Sequence, residues 1–426
     1  MIKTKLMNIK ANIKNNQSFV FIAINIFVAF LGFVRSFAFM KFFDFHDLGI
    51  ITLVSAAASL IGMFQIGLIN GGYRIIALRE SDSNIKVNNV IFSYFGILSI
   101  VLVVFSVIVF LLGFYTNWFL LIIINIMGVC TLITNWLTNT LIGASEFKRL
   151  NIANTISAIA SLLCLFLAYY FGLYGALLSL LIQPVLFAFV VFTSDNKEIP
   201  NKFDLDINYI KYILSFGFIP FLSGIFFLLY MQIERWSVNA FLGSEALGKM
   251  YLVFLTITLW VLVPTSINSL FFPKSVKLFS ANQFNELDKL TKKYFFILCL
   301  YSLVCSVLML IFFNPLVKYI FPNHFPYVKL VFMVLPGLIL RIMCDPIGLL
   351  LNSMVKLKPI FLSDLIGILC YGMMVIVLGF AKIFSIENII ICYVLYNLIR
   401  LLYLIYTYFF IKKQLLNRRY DFDFKD

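Results

Sequence analysis

Long hydrophobic segments separated by short polar turns fill most of this 426-residue chain. A helix of about 20 apolar residues crosses the hydrocarbon core of a bilayer, where the backbone must satisfy its own hydrogen bonds. The segments are continuously apolar, which favours helices over the alternating strands of a membrane barrel. We therefore predict an all-α polytopic membrane protein with twelve transmembrane helices. The predicted spans are 18–40, 48–69, 90–113, 117–141, 152–171, 174–193, 211–233, 249–272, 294–313, 328–351, 360–380 and 387–411.

Composition supports this interpretation and sets the orientation. Hydrophobic residues make up 62% and charged residues 12% of the chain, whereas soluble domains carry about 25% charged residues. If the N-terminus is cytoplasmic, 24 of the 33 Lys and Arg residues lie on the cytoplasmic side and five lie outside. The positive-inside rule then predicts that both termini are cytoplasmic. The net charge of +14 thus indicates topology and contact with anionic lipid headgroups rather than nucleic acid.

An internal repeat divides the predicted helices into two sets of six. A shift of 199 residues places Phe42–Val54 on Phe241–Val253, with identical residues at five of thirteen positions. Both segments form the predicted outer turn after the first helix of their half. Because six is an even number, the halves would insert in the same orientation, as a parallel repeat with the substrate site expected between them.

The polar inner loop Ser194–Ile210 marks the predicted boundary between the halves. Residues 1–200 would form an N-terminal lobe with spans one to six. Residues 201–426 would form a C-terminal lobe with spans seven to twelve and a short basic cytoplasmic tail.

Four arginines lie inside predicted spans: Arg35, Arg235, Arg341 and Arg400. A charge facing lipid at the helix centre costs at least about 2.5–3.5 kcal/mol, so these side chains should face a cavity or a partner. The guanidinium fork suits phosphate oxygens, which makes them candidates for an anionic substrate. Alternatives remain for two of them, because Arg35 could snorkel outward and Arg341 could pair with Asp345 on its own helical face. Arg400 has no acidic residue at helical spacing, so we expect it to be the freest cation.

Acidic residues at the same depth are candidates for ion coupling or a cavity salt bridge. The repeat places Glu234 at the position of Arg35, so Glu234 could pair with Arg35 or take up a proton. Asp345 could likewise take part in ion coupling, or form a salt bridge with Arg341. We expect Asp364, near the inner end of span eleven, to be interfacial.

The sequence contains none of the common enzyme or nucleotide-binding motifs H-x-x-x-H, G-x-S-x-G and G-x-x-x-x-G-K-[ST]. His46 and His324 fall in separate outer loops, and the seven cysteines lack metal-site spacing. We therefore expect no catalytic residue, no metal and no cofactor. Energy would come from an ion gradient, a partner or substrate flux.

Four segments carry a family resemblance: Phe30–Val54, Gly67–Arg79, Ile142–Asn154 and Phe241–Leu255. The first contains the pattern L-G-x-x-R at Leu31–Arg35. With the length and the twelve spans, the chain resembles the polysaccharide exporters of the multidrug/oligosaccharidyl-lipid/polysaccharide (MOP) superfamily. More narrowly, it resembles the O-antigen flippases of the Wzx type.

This resemblance implies a MATE-like pair of lobes around a central cavity in the bacterial cytoplasmic membrane. The cargo would be an oligosaccharide on undecaprenyl diphosphate, moved from the inner to the outer leaflet by alternating access with H⁺ or Na⁺ coupling. The cationic cavity residues of the family correspond to Arg35 and, in the other half, to Arg235, Arg341 and Arg400. Implied partners besides membrane lipids are a polysaccharide polymerase and a chain-length regulator.

Three other functions compete with this one. A multidrug antiporter of the same fold would use an acid-lined N-terminal cavity, yet the predicted N-terminal spans contain no Asp or Glu. A membrane polysaccharide polymerase or ligase would carry a large outer loop with arginines, and the longest outer loop, Asn314–Tyr327, has none. A channel is disfavoured by the repeat and by the prolines inside spans of the second half, which are expected to kink those helices.

Overall fold

The computed structural model describes residues 2–422, except 78–80, 114–116, 145, 195–199, 201 and 355. Within these helices it leaves undescribed the side chains of 2–19, 22, 77, 81–84, 219, 220, 223, 227, 266, 269, 270, 273 and 413–422. Most side chains of the basic tail, and much of the predicted loop between the lobes, therefore lie outside the described residues. The described part is helical, with no strand in it.

The chain forms two compact units, Met1–Leu222 (unit 1) and Ser223–Asp426 (unit 2). The first helices are α1 (Ile2–Phe42), α2 (Phe45–Ile61), α3 (Leu68–Ala77), α4 (Ser81–Leu111), α5 (Trp118–Gly143), α6 (Phe147–Leu163) and α7 (Leu165–Thr193). Helix α8 (Ile207–Leu242) contains the boundary between the units. The remaining helices are α9 (Ser244–Lys249), α10 (Tyr251–Ser280), α11 (Phe284–Ile320), α12 (Val328–Met343), α13 (Asp345–Ser353), α14 (Leu357–Phe380) and α15 (Ile386–Phe422). The predicted boundary at residue 200 between two six-helix lobes stays a prediction.

Among the described residues, nine helical segments are long and apolar enough to cross a membrane. Every predicted span overlaps a helix, so the prediction of a multi-pass helical membrane protein is confirmed. The number of twelve spans and the cytoplasmic position of both termini stay predictions.

Three predicted spans are interrupted at points that the hydrophobic pattern does not show. The second is broken by a 3₁₀ turn at Gly62–Gln65, followed by a left-handed Ile66 (φ 52°). The fifth is broken at Cys164, between α6 and α7. The tenth is divided at Cys344 into α12 and α13, where Pro346 occupies the start of the new helix, a position that tolerates proline.

Unit 1 is built around Trp136 of α5, which is 1% exposed. Its indole N–H donates to Oδ1 of Asn88 at 2.9 Å, and the hydroxyl of Thr140 donates to the same oxygen at 3.1 Å. Phe95 packs edge-on against the indole ring. This satisfied polar contact fixes α4 against α5, because an unpaired amide or indole N–H in an apolar core costs several kcal/mol.

Helices α3 and α8 cross closely within unit 1 through glycines. Gly67, Gly71 and Gly217 face each other, and a methyl group on Gly67 would lie 2.8 Å from the carbonyl carbon of Gly217. Small residues spaced four apart allow helix backbones to approach in this way in membranes.

The surface of α4 and α11 is unusually apolar. Only 11% of the most hydrophobic window of each helix is buried. Leu111 of α4 and Phe296 of α11 are 75% and 70% exposed. A water-soluble monomer rarely exposes such large apolar patches, so these faces are suited to contact lipid.

The repeated segments bury matched positions in the two units. Helix α1 ends at Phe42, and α8 ends at Leu242. The matched residues Leu48 and Leu247 are both 0% exposed, and Val54 and Val253 are 2% and 0% exposed. The segments aligned by sequence thus use equivalent positions for packing after the first helix of each half.

Candidate functional site

A cluster of six charged side chains lies in the membrane-spanning part of unit 2 and is called the charge cluster below. Five helices supply its members, which are Glu234 and Arg235 from α8, Arg341 from α12, Asp345 from α13, Asp364 from α14 and Arg400 from α15. The cluster contains three guanidinium groups and three carboxyl groups, so its formal charges balance when all are ionised.

The closest ion pair in the cluster joins α14 to α15. Nη2 of Arg400 lies 2.5 Å from Oδ1 of Asp364, and these side chains are only 12% and 5% exposed. The Arg400 guanidinium also lies 5.4 Å from the ring centre of Tyr396, one turn earlier on α15. The prediction that Arg400 is a free cation was therefore wrong. The interfacial position of Asp364 stays a prediction. Spacing along one helix could not reveal a partner on another helix.

Arg341 lies between two acidic groups. It is close enough to interact electrostatically with both Glu234 and Asp345. Cys344 separates α12 from α13 but keeps helical backbone angles (φ −72°, ψ −27°). The pairing of Arg341 with Asp345 on one helical face therefore stays a prediction.

Glu234 and Arg235 diverge on α8, as adjacent residues of a helix must. Glu234 is 3% exposed and points into unit 2. The Arg235 guanidinium lies 5.1 Å from the ring centre of Phe254 on α10. The two neighbours therefore contact different helices.

Four buried tyrosines adjoin the charge cluster: Tyr230, Tyr371, Tyr393 and Tyr396. Tyr230 and Tyr396 stack with ring centres 4.0 Å apart and an angle of 6° between the planes. Within the described residues, the hydroxyls of Tyr230, Tyr371 and Tyr396 and one carboxyl oxygen of Glu234 have no hydrogen-bond partner. Buried polar atoms almost always have one, so this region has the chemistry to hold a proton, a cation or water.

Arg35 lies in unit 1 and is held by neutral groups of two other helices. Its Nη1 donates to the hydroxyl of Ser161 on α6 and, at 3.0 Å, to the side-chain oxygen of Gln183 on α7. The Ser161 hydroxyl in turn donates to the carbonyl of Ser179 at 2.7 Å. Arg35 therefore points into its unit rather than snorkelling outward. Its pairing with Glu234 stays a prediction.

Sequence reasoning did not identify the tyrosines or the partners of Arg35 and Arg400. One signal for the tyrosines was present, because Tyr393, Tyr396, Asn397 and Arg400 follow helical spacing on an otherwise apolar helix. Ser161, Gln183 and Asp364 gave no such signal, since each meets its arginine only through tertiary packing.

The fold matches solved membrane transporters. A multidrug resistance MATE family transporter of the MOP superfamily, in an inward-facing conformation, is 11% identical with a TM-score of 0.71 and covers 92% of this chain and 95% of its own. The lipid II flippase MurJ, in an inward closed conformation, is 14% identical with a TM-score of 0.68, covering 91% and 87%. A MOP superfamily transporter from Pyrococcus furiosus is 14% identical with a TM-score of 0.62, covering 93% of each chain.

These similarities establish the MATE/MOP-like fold, which confirms the predicted fold class at that level. At such low identity they establish the fold alone. No protein-family model matches the sequence, and no curated protein matches it significantly.

Proposed function

We propose that this protein is a flippase of the bacterial cytoplasmic membrane. Its cargo would be an undecaprenyl-diphosphate-linked oligosaccharide of a surface polysaccharide, moved from the inner to the outer leaflet by alternating access. The fold supports a transporter or flippase, and one solved structure of this fold is a lipid II flippase. The sequence resemblance to O-antigen flippases narrows the proposal to a glycan carried on a lipid diphosphate.

The observation that carries the proposal is the balance of charge in the charge cluster. With all groups ionised, the three carboxylates neutralise the three guanidinium groups. A diphosphate that binds an arginine must displace a carboxylate, and the displaced carboxylate in a poorly solvated place needs a proton or Na⁺. Cation uptake and anion binding therefore stabilise each other, which is a reciprocal linkage between two ligands.

Within this proposal the six candidate residues take different roles. Arg341 would receive the cargo diphosphate, because it already interacts with two carboxylates that can be neutralised, Glu234 and Asp345. Arg35 and Arg235 would contribute further positive charge to the cargo site. Arg400, which pairs with Asp364, would position α14 against α15.

The membrane potential would also favour export. A cargo with a net negative charge moves outward across a membrane that is negative inside, and each charge contributes about 2.3 kcal/mol per 100 mV. The absence of a nucleotide-binding motif from the sequence is compatible with this source of energy.

Deletion of the gene tests the proposal in the native host. We expect lipid-linked oligosaccharide to accumulate in the inner leaflet and surface polysaccharide to disappear. Wild-type protein should restore export, and Arg341→Ala should not. Arg149→Gln is the matched control, because Arg149 is partly exposed next to Glu146 near the start of α6 and has no proposed contact with cargo. Unchanged lipid-linked sugars in the deletion strain would contradict the function.

A multidrug antiporter is the second candidate, and one observation favours it. Buried tyrosines beside carboxyl groups suit a cationic aromatic compound, which binds ring faces and negative charge. That function predicts lower resistance to cationic dyes in the deletion strain with normal surface polysaccharide. The flippase function predicts the opposite pair of results.

A further inference from the structure

A groove of about 370 Å³ opens on unit 2 between α11, α13 and α15 and is called the lysine groove below. Its walls are almost entirely apolar and include Phe295, Ile347 and Ile405. Two lysines, Lys292 and Lys412, line it as well. An apolar slot with positive charge along it is the pattern that an amphiphile with an anionic head requires.

The two lysines converge on one carboxylate. Nζ of Lys292 and Nζ of Lys412 lie 2.8 and 3.3 Å from the same oxygen of Asp288. The hydroxyl of Tyr408, which also lines the groove, donates to the other oxygen. Two ammonium groups held together by one carboxylate leave a single positive charge, and each ammonium has three N–H donors.

The position of the lysines fits a lipid headgroup. Lys292 lies eight residues after the start of α11, and Lys412 lies in the last third of α15, so both are near helix ends. Predicted topology puts these ends on the cytoplasmic side, where anionic lipids attract basic residues. The side chain of Lys292 is 62% exposed, and Phe409 on the rim of the groove is equally exposed. The groove is therefore accessible from the surface that we assign to lipid.

We propose that the lysine groove binds one anionic phospholipid of the surrounding bilayer. An acyl chain would occupy the apolar slot, and the phosphodiester would contact Lys292 and Lys412. The excess of one positive charge matches a phosphodiester, which carries one negative charge. A lipid diphosphate such as the proposed cargo carries more than one negative charge. The site is thus separate from the charge cluster and does not depend on the proposed function.

One side of the groove follows directly in the chain from a residue of the charge cluster. Pro346 and Ile347 line the groove, and the preceding residue is Asp345. Occupancy of the groove would hold the start of α13 in place, and with it Asp345.

Binding of palmitoyl-oleoyl phosphatidylglycerol to the purified full-length protein in neutral detergent tests this site. We expect native mass spectrometry to show one tightly bound phosphatidylglycerol, and the matching phosphatidylcholine to bind much more weakly. The double variant Lys292→Gln/Lys412→Gln should weaken phosphatidylglycerol binding roughly 10- to 30-fold, given the usual contribution of a lysine near a headgroup. Lys289→Gln is the matched control, because Lys289 lies on the same helix, pairs with Glu286 at 2.8 Å and does not line the groove.

A second measurement keeps the proposal testable if the double variant does not fold. Wild-type protein carrying phosphatidylglycerol with a photoreactive acyl chain should crosslink within α11, α13 and α15. Equal affinity of the double variant and the wild type, or crosslinks elsewhere, would overturn the site. Displacement of phosphatidylglycerol by an equimolar amount of undecaprenyl phosphate would assign the groove to a polyprenyl chain and overturn the phospholipid.

Discussion

At the scale of the residue, the decisive feature is how arginines are neutralised inside the bilayer region. Arg400 has a carboxylate partner on another helix, Arg341 interacts with two carboxyl groups, and Arg35 is held by neutral side chains. A pair that neutralises itself stabilises the fold, whereas a guanidinium with exchangeable partners can accept an anion. Within the proposed function, this distinction assigns Arg400 a structural role and Arg341 a role in binding cargo.

Loss of one partner of the Arg400–Asp364 pair should destabilise unit 2. Asp364→Asn leaves a buried guanidinium without its carboxylate, and removing one partner of a buried pair costs about 3–5 kcal/mol. Thermal unfolding in detergent measures this loss. The double variant Asp364→Asn/Arg400→Gln should be more stable than Asp364→Asn alone. If the single variant is as stable as the wild type, the pair has no structural role.

Two variants distinguish the role of the Arg35 charge from the role of its packing. Arg35→Ala should reduce export at least about tenfold while membrane insertion is retained, because it removes a proposed contact with cargo worth about 1.4 kcal/mol or more. Gln183→Ala removes one hydrogen-bond partner but keeps the guanidinium, so export should change little. Similar losses in the two variants would show that Arg35 acts only through packing.

At the scale of the element, the units depend on close approach between helices and on fixed connections. Gly217 of α8 lies against the backbone of α3, and residues 202–206 before α8 are bonded to α4. Neither feature can be predicted from the hydrophobic pattern of the sequence. Both limit which substitutions the chain tolerates.

Gly217→Ala should destabilise unit 1. A methyl group at this position would overlap the carbonyl oxygen of Gly67 and the backbone nitrogen of Gly71, and overpacking of this kind costs about 1–3 kcal/mol. The melting temperature in detergent is the measurement. Gly372→Ala on α14 is the control, because a methyl group there meets no atom within 4 Å. We expect that control to unfold at or above the wild-type temperature.

The connection before α8 should weaken at low pH. The ammonium of Lys86 donates to Asp206 at 2.8 Å, and together with the Tyr209 backbone N–H it lowers the pKa of Asp206 below its ordinary value. A lowered pKa in the folded state means that the stabilising contact is complete above the ordinary pKa of aspartate, about 3.9, and is lost as pH falls through the lowered value.

Hydrogen exchange of the backbone at residues 203–209 measures this contact. Asp206→Asn should raise the exchange rate at neutral pH, where the wild type is protected. Asp204→Asn is the control, because Asp204 is bonded to Ser93 through its backbone N–H and not through its carboxylate. Equal protection in the Asp206 variant and the wild type would show that the ion pair does not hold the connection.

The sequence predicted helices well but their interruptions poorly. Each continuously hydrophobic span falls on a helix, whereas most of α3 and almost all of α9 lie in predicted turns. The breaks at Ile66 and Cys164 depend on local backbone angles, and Ile66 has a positive φ of 52°. The charge cluster was half predicted. Glu234 and Asp345 were recognised by depth, but the pairing of Asp364 with Arg400 arises from packing between α14 and α15.

At the scale of the whole molecule, the described helices combine apolar exposed faces with a few buried charges. Exposed side chains of α4 and α11 suit the hydrocarbon region, while the charge cluster of unit 2 is assembled from five helices. These features accompany a MATE/MOP-like fold. The proposed function requires that binding of an anion and binding of a proton are linked through Glu234 and its neighbours.

The affinity of the purified protein for a short-chain polyprenyl diphosphate, measured between pH 5 and 8, tests that claim most directly. We expect the wild type to bind more tightly as pH falls, because neutralised carboxylates release arginine. Glu234→Gln should bind at every pH nearly as tightly as the wild type does at low pH. A wild-type affinity that does not change with pH, or an unchanged pH dependence in Glu234→Gln, would contradict the account.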